Sequence, residues 1–307
     1  MKNKNIKIIF FGLGSIGKRH LENMKSIMHE RSVSVEIHAF RSRKKNISQM
    51  EGVQNIFEMN ELDSDYDIAF VTNPTSLHFE TLQSIKNKAK WVFIEKPIFE
   101  KVYTFESSLP ANNYYVAAPL RYKEVMLKAK EIVANEKVLH ARAICSSYLP
   151  NWRDEDYRES YSAQSSLGGG IELDCIHELD YAIHLFGLPR NTKSMIGKVS
   201  DLEISSNDTA NYLLDYESKY IEIHVDYFGK TSIRKLELIT DKDTYEFDLN
   251  NDTFTALTSE ETIKYNEDRN DMYLKELYYF LDQVMTKQSN SNNLNHAIEV
   301  LKIAKGD

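Results

Sequence analysis

The stretch IKIIFFGLGSIGKRH, residues 6–20, restricts this chain more than any other. An apolar run gives way to Gly12, Gly14 and Gly17 in the spacing G-x-G-x-x-G, and a helix-compatible segment from Ile16 to about His29 follows. Strand, glycine turn and helix in that order open a βαβ unit of the kind that binds a dinucleotide. Gly12 serves the tight turn, Gly14 the close approach of backbone to pyrophosphate, and Gly17 the packing of helix on strand. The free N–H groups around Ser15 and Ile16 at the helix start add donors and partial positive charge. A glycine turn without a ligand is the plain alternative.

The rest of the first third repeats the theme. VSVEIHAF, YDIAFVTN, WVFIEKP and YYVAAP are short apolar runs, and a helical segment covers Leu77 to Lys88. Short strands separated by helices indicate a parallel sheet covered on both faces. After Arg121 come a helix (Tyr122 to Asn135), a strand (Val138 to Tyr148), a long irregular stretch, a helix near residues 174–186, and several strands in succession. KYIEIHVDYF and TYEFDL alternate apolar and polar residues, which gives an antiparallel sheet with one wetter face. Helices over about 273–285 and 294–304 close the chain. The expected fold is α/β plus α+β: a doubly wound parallel sheet in residues 1–120, then a domain with an antiparallel sheet in residues 121–307. The last helix, about 294–305, is free to pack back on the first domain.

The end of the second strand bears on which nucleotide binds. An acid there accepts the ribose hydroxyls of NAD, whereas this chain continues with Arg41, Ser42, Arg43, Lys44 and Lys45. Guanidinium and hydroxyl groups suit a 2′-phosphate, so NADP is the expected cofactor and NAD the second choice. A solvated basic loop is the alternative. After the strand YDIAFV, Thr72, Asn73 and Pro74 stand where cofactor riboses lie in such sheets, with His78 close by to cap or pack. WVFIEKPIF ends a buried strand in Glu95, Lys96 and Pro97. Pro97 removes a backbone donor and restricts Lys96 to extended geometry. Lys96 is placed to serve proton transfer, and the other reading is a lysine that snorkels from the strand end.

In order along the chain, G-x-G-x-x-G, TNPTSLH (72–78), EKP (95–97), LRY (120–122) and GGGIELDCIHELD (168–180) resemble the Gfo/Idh/MocA oxidoreductases, the glucose-fructose oxidoreductase and inositol dehydrogenase family. The resemblance runs through nearly the whole chain. It implies a Rossmann domain, a second domain whose large open sheet serves self-association as a homodimer or homotetramer, a nicotinamide cofactor, and redox chemistry at a carbon of a small-molecule sugar or cyclitol. It also implies that Lys96 acts in proton transfer beside the nicotinamide, with Glu95 holding Lys96 or the cofactor's surroundings. Physical chemistry supports the assignment. A hydride leaving or reaching a carbon must be matched by a proton at its oxygen, and a desolvated lysine can exchange one.

The glycines of GGGIELDCIHELD let the backbone pass close to a ligand, and the helix expected after them puts Asp174 and His177 three apart on one face. His177 suits a general acid/base, with Asp174 fixing its tautomer or binding a sugar hydroxyl. The family's commoner pattern has acid and histidine four apart, so the role of Asp174 is the more open of the two. A satisfied structural histidine is the other reading of His177. A metal cluster with His184 is not expected, because the chemistry needs no Lewis acid. SSYLPNWRDEDYRESYSAQSS, residues 146–166, reads as a substrate-covering loop. Trp152 and Tyr157 are placed to stack on a sugar, while Arg153 and Arg158 either grip an anionic group or pair with the loop's own carboxylates. Arg121 either reaches the cleft or makes a hinge salt bridge. The loop looks like a subgroup associated with surface carbohydrates, which points to an activated or acidic sugar. A cofactor-bound sensor or scaffold without turnover is the competing function.

Bulk properties exclude other classes. Of 307 residues 42% are hydrophobic, enough for the cores of two domains. With 46 acidic against 38 basic residues and a net charge of −8, the chain lacks the basic surface that nucleic acid or an anionic membrane requires. The start carries no cleavage signal and no apolar stretch approaches a membrane span, so the expected location is the cytoplasm. Cys145 and Cys175 have no metal-type spacing and are expected to fill core space in a reducing compartment.

Overall fold

The computed structural model describes residues 5–42, 49–288 and 290–307. The chain begins β1 (Ile6–Phe11), α1 (Ser15–Glu30), β2 (Val35–Phe40), β3 (Val53–Ile56), β4 (Tyr66–Val71), α2 (His78–Ser84), β5 (Ala89–Ile94) and β6 (Tyr114–Val116). It continues with α3 (Glu124–Asn135), β7 (Val138–Tyr148), α4 (Ile171–Asp174), α5 (His177–Phe186), β8 (Asn191–Gly197), β9 (Thr209–Asp215) and β10 (Tyr220–Asp226). Last come β11 (Phe228–Thr240), β12 (Thr244–Asp248), β13 (Thr253–Ala256), β14 (Glu261–Lys264), α6 (Asp271–Thr286) and α7 (Leu294–Lys305). Two compact units result. The first comprises residues 1–99, 103–117 and 273–298, and the second residues 100–102, 118–272 and 299–307.

In the first unit six parallel strands are ordered β3-β2-β1-β4-β5-β6. Strands buried on both faces need near-continuous apolar runs, as IKIIFF and the buried Ile68, Ala69, Phe70 and Val71 of YDIAFV supply. Phe10 stacks on Phe70 at 4.5 Å between ring centres, and Phe93 lies 5.2 Å from Phe70. Leu277, Phe280 and Leu281 of α6 complete this core. Residues 273–298 therefore pack within the first unit, although a break after residue 120 would place them in the second domain. Helical spacing revealed the apolar stripe of α6 but not the sheet it covers. The division between units falls inside α7, after Ile298.

The second unit holds an eight-stranded sheet ordered β14-β13-β12-β11-β7-β10-β9-β8. All its neighbours are antiparallel except β7 and β10. In β10, Ile221, Ile223 and Val225 are buried while Glu222 is exposed, as the alternation predicts. The long β11 escapes a sequence reading because Lys230, Thr231 and Ser232 interrupt its first half and the alternation of buried residues appears only near its end. Two local expectations change. The helix expected near 174–186 is broken, so Asp174 ends the short α4 and His177 begins α5. The stretch after β7 is not irregular throughout: single 3-10 turns form at Leu149–Asn151, Tyr157–Glu159, Tyr161–Ala163 and Ser165–Leu167.

Candidate functional site

In the first unit the loops at the carboxyl ends of β1, β4 and β5 are knitted together. Gly12 has φ +94° and sits so close to the β4 loop that a Cβ would come within 2.7 Å of the Asn73 backbone. The Thr72 hydroxyl donates to the Gly12 carbonyl at 2.5 Å. Thr72 is thereby buried and spent on holding the glycine turn. A Cβ on Gly17 would meet the Gly12 carbonyl at 2.3 Å, so that glycine permits helix and turn to touch. Gly14 differs from both: nothing lies within 4 Å of a Cβ built there.

That opening fits a dinucleotide. The exposed Gly14 and Ser15 start α1, which has no side-chain cap and no acid in its first turn, so its leading N–H groups are left for an anion. Asn73 donates to the Thr81 hydroxyl at 2.8 Å, and its buried Oδ1 meets no donor among the described residues, which suits a ribose hydroxyl. Pro74 is exposed beside it. At the end of β2 the Arg41 backbone N–H donates to Ile56 at 2.9 Å, which fixes the half-buried Arg41, and Ser42 is exposed. Arg43 lies outside the described residues.

Lys96 follows β5 and is half-buried. Glu95 serves it: one carboxylate oxygen accepts the Lys96 backbone N–H at 3.1 Å, and the other accepts His20 Nε2–H at 2.6 Å. Burial pushes the Glu95 carboxyl up, but the His20 hydrogen bond and charge, together with Lys96, outweigh it and hold the group below its ordinary value. Glu95 is an anchored carboxylate, and the Lys96–Pro97 peptide beside it is cis. His78 is buried, with Nδ1 3.1 Å from the carbonyls of Pro97 and Ile98 and Nε2 3.0 Å from that of Asn73. Burial lowers its pKa against the pull of those carbonyls. Its ring ties the β4 loop to the EKP segment, with both nitrogens engaged by backbone carbonyls.

In the second unit the structure gathers a different set around Asp174. This residue is buried, and its carboxylate accepts the Tyr161 hydroxyl at 2.8 Å and the Tyr227 hydroxyl at 2.5 Å. Burial and the adjacent Asp174 charge push both phenols up, which keeps them protonated donors. His177 is half-buried at the start of α5. The two side chains thus flank a break instead of sharing one helix face. Of the glycines before them, Gly169 serves the backbone, since a Cβ there would collide with the Tyr161 carbonyl.

Trp152, Arg153 and Tyr157 line one cavity of about 190 Å³. Trp152 donates to the Ser147 hydroxyl at 3.0 Å and meets Tyr227 edge to face, while the Arg153 guanidinium lies 5.2 Å from the centre of the Tyr161 ring. Both contacts lead to the phenols that hold Asp174. Among the described residues no carboxylate pairs with Arg153. Arg158 behaves otherwise: its guanidinium is engaged by Asp156 at 2.7 Å and Glu203 at 3.0 Å, so the in-loop pairing applies to it. Arg121 is also committed. It is buried and forks onto Asp180 at 2.6 and 2.7 Å, with Nη1 donating to His184 Nδ1 at 3.2 Å. Of the two readings of Arg121, substrate ligand or salt bridge, these contacts favour the salt bridge, as an internal strut.

Sequence reasoning missed His20, Tyr161 and Tyr227. The Gly17–His20 spacing of three on α1 was a usable signal, since it puts both on the sheet side. Tyr227 reads as one more inward residue of an alternating strand, and Tyr161 carries no local signal.

Known proteins agree with this geometry. Residues 6–109 match the family described as "Oxidoreductase family, NAD-binding Rossmann fold" and residues 138–306 the one described as "Oxidoreductase family, C-terminal alpha/beta domain". The chain is 25% identical over 228 residues to "Uncharacterized oxidoreductase YrbE" of Bacillus subtilis (strain 168), covering 70% of this chain and 65% of that protein, just under two thirds of its length. Among solved structures, levoglucosan dehydrogenase in complex with NADH and levoglucosan superposes with a TM-score of 0.82 at 13% identity, over 99% of this chain and 96% of that one. An NAD binding oxidoreductase from Klebsiella pneumoniae gives 0.82 at 14% over the same shares. Likeness at such identity establishes the fold. Among the described residues no helix is long and apolar enough to cross a membrane.

Proposed function

The chain belongs to the Gfo/Idh/MocA oxidoreductase family, and on that premise we propose that it is an NADP-preferring dehydrogenase or reductase of a sugar. The observation that carries this reading is the open cradle at Gly14 on the uncapped start of α1, at the β1–β4 switch point of a parallel sheet, with Lys96 following the neighbouring β5. When bound, the nicotinamide supplies the hydride acceptor or donor. Lys96 handles the matching proton at the substrate oxygen, and the Glu95–His20 pair fixes the backbone from which Lys96 projects. His177 is the second acid/base candidate. Asp174, held by two phenols, binds a sugar hydroxyl. Arg153, which no carboxylate pairs with among the described residues, favours a substrate that carries a carboxylate or phosphate, which is consistent with an activated or acidic sugar in surface-carbohydrate metabolism.

The setting proposed is cytoplasmic, with a homodimer or homotetramer formed through the outer sheet face, where Ile144, Met195, Leu213 and Tyr220 are exposed. Turnover of uronic and nucleotide-activated sugars with NADP or NAD tests the reading. Lys96→Ala should lower turnover at least about 100-fold while leaving cofactor affinity intact. A loss of only a few-fold removes Lys96 from proton transfer. Tight NADPH binding with no turnover on any carbonyl or polyol favours the sensor or scaffold instead.

A further inference from the structure

Cys145 and Cys175 are 30 residues apart in sequence, yet their Sγ atoms lie 3.4 Å from each other in the core of the second unit. Cys145 sits on β7. Cys175 occupies the break between α4 and α5, directly after Asp174 and two residues before His177. The charged groups facing the pair are Glu178 and Arg234: Arg234 Nε lies 2.9 Å from the Glu178 carboxylate and Nη2 lies 4.0 Å from Cys175 Sγ. The two sulfurs and Glu178 are close enough together to hold a metal ion. Arg234 already supplies the positive charge there, however, and a second cation would be repelled across a dry interior. A bond between the sulfurs needs neither a cation nor new space. It requires the sulfurs to close from contact to about 2.05 Å.

We propose that Cys145 and Cys175 are an oxidation site that closes an intramolecular disulfide, and that closure displaces the Asp174–His177 segment and lowers turnover. A hydroperoxide is the oxidant. One thiol loses its proton and its sulfur attacks a peroxide oxygen, which breaks the O–O bond, releases water and leaves a sulfenic acid. The second sulfur then attacks the first, its proton leaves with the expelled hydroxide, and a second water forms. Two thiols and one hydrogen peroxide give one disulfide and two waters; sulfur is oxidised by two electrons and peroxide reduced by two. An external dithiol reverses the change. The Cys145 hydrogen bond and burial push the Cys175 thiol up, against the pull of Arg234. The resting pair is a protonated dithiol, and reaction waits on local opening of the α4–α5 break.

The test treats the full chain with hydrogen peroxide, quenches, denatures and alkylates it, and weighs the intact protein. The expected result is a monomer lighter by two hydrogens that takes no alkyl group at either cysteine. Turnover should fall at least about ten-fold, because displacements near 1 Å at a site are costly, and return with dithiothreitol. Cys145→Ala and Cys175→Ala should each lose both the mass change and the reversible inhibition. Oxygen addition without loss of hydrogen, a disulfide between chains, or equal inhibition of Cys145→Ala overturns the proposal. The turnover arm rests on the reading of Asp174 and His177 as site residues, but the mass arm does not. A mass change without inhibition in active protein therefore overturns the coupling alone, and absence of any turnover points to the enzyme reading.

Discussion

Replacing Arg121 separates an internal strut from a substrate ligand. Its guanidinium makes a two-pronged bond to Asp180 at 2.6 and 2.7 Å, with side-chain exposures of 3% and 11%, and its third nitrogen reaches His184. Arg121→Ala leaves a buried carboxylate without its counter-charge. Breaking a buried pair by removing one partner costs about 3–5 kcal/mol. For a domain of this size each kcal/mol lowers the midpoint by about 2–4 °C, so unfolding should begin about 6–20 °C earlier. Thermal denaturation followed by circular dichroism measures it, and the double variant Arg121→Met/Asp180→Leu should recover much of the loss, since an apolar pair of similar volume removes the unpaired charge. A midpoint within about 2 °C of the parent, combined with a raised KM, would refute the strut and return Arg121 to the substrate.

Two further outcomes concern arginines that no carboxylate pairs with among the described residues. NADPH should bind at least about ten-fold better than NADH at low salt, a preference that Arg41→Ala largely removes, as paired cofactor titrations measure. Equal affinities would mean that the basic run faces solvent. Arg153→Ala should raise KM for an acidic sugar about ten-fold to a hundred-fold and barely affect a neutral one, whereas Arg158→Ala should affect neither, because Asp156 and Glu203 already hold that guanidinium. Steady-state kinetics on the two sugar classes decide between them, and equal effects of Arg153→Ala on both classes would assign that side chain to loop structure.

What could be read from the sequence was local. The glycine turn, the apolar strands and the EKP segment each lie within a few consecutive residues, and the reasons for them act over the same few residues: a positive φ at Gly12, burial on both faces of β1, a charged pair at a strand end. What could not be read depends on partners far along the chain. Arg121 meets Asp180 across 59 residues, Glu95 meets His20 across 75, and Tyr227 meets Asp174 across 53. No periodicity reports such pairs. An arginine after a Rossmann strand therefore reads equally well as ligand or strut until its carboxylate partner is located. The same limit explains α6, whose apolar stripe was visible while the sheet it covers was not.

The short spacing between Asp174 and His177 shows how far a motif carries. On an unbroken helix, steps of three and four residues both return a side chain to roughly the same face, at about 60° short of a full turn or about 40° beyond it. The missing residue would then change little, and the pair would stay side by side. The chain instead breaks the helix at Cys175 and Ile176, for reasons that lie outside the motif. Asp174 is gripped by Tyr161 and Tyr227, and Cys175 lies against Cys145. With those two residues pinned, α5 begins afresh at His177. The acid is thus positioned by the two phenols and not by a shared helix face. Tyr161→Phe or Tyr227→Phe should therefore act on the site through the Asp174 carboxylate, because each removes one of the two hydroxyls that donate to it.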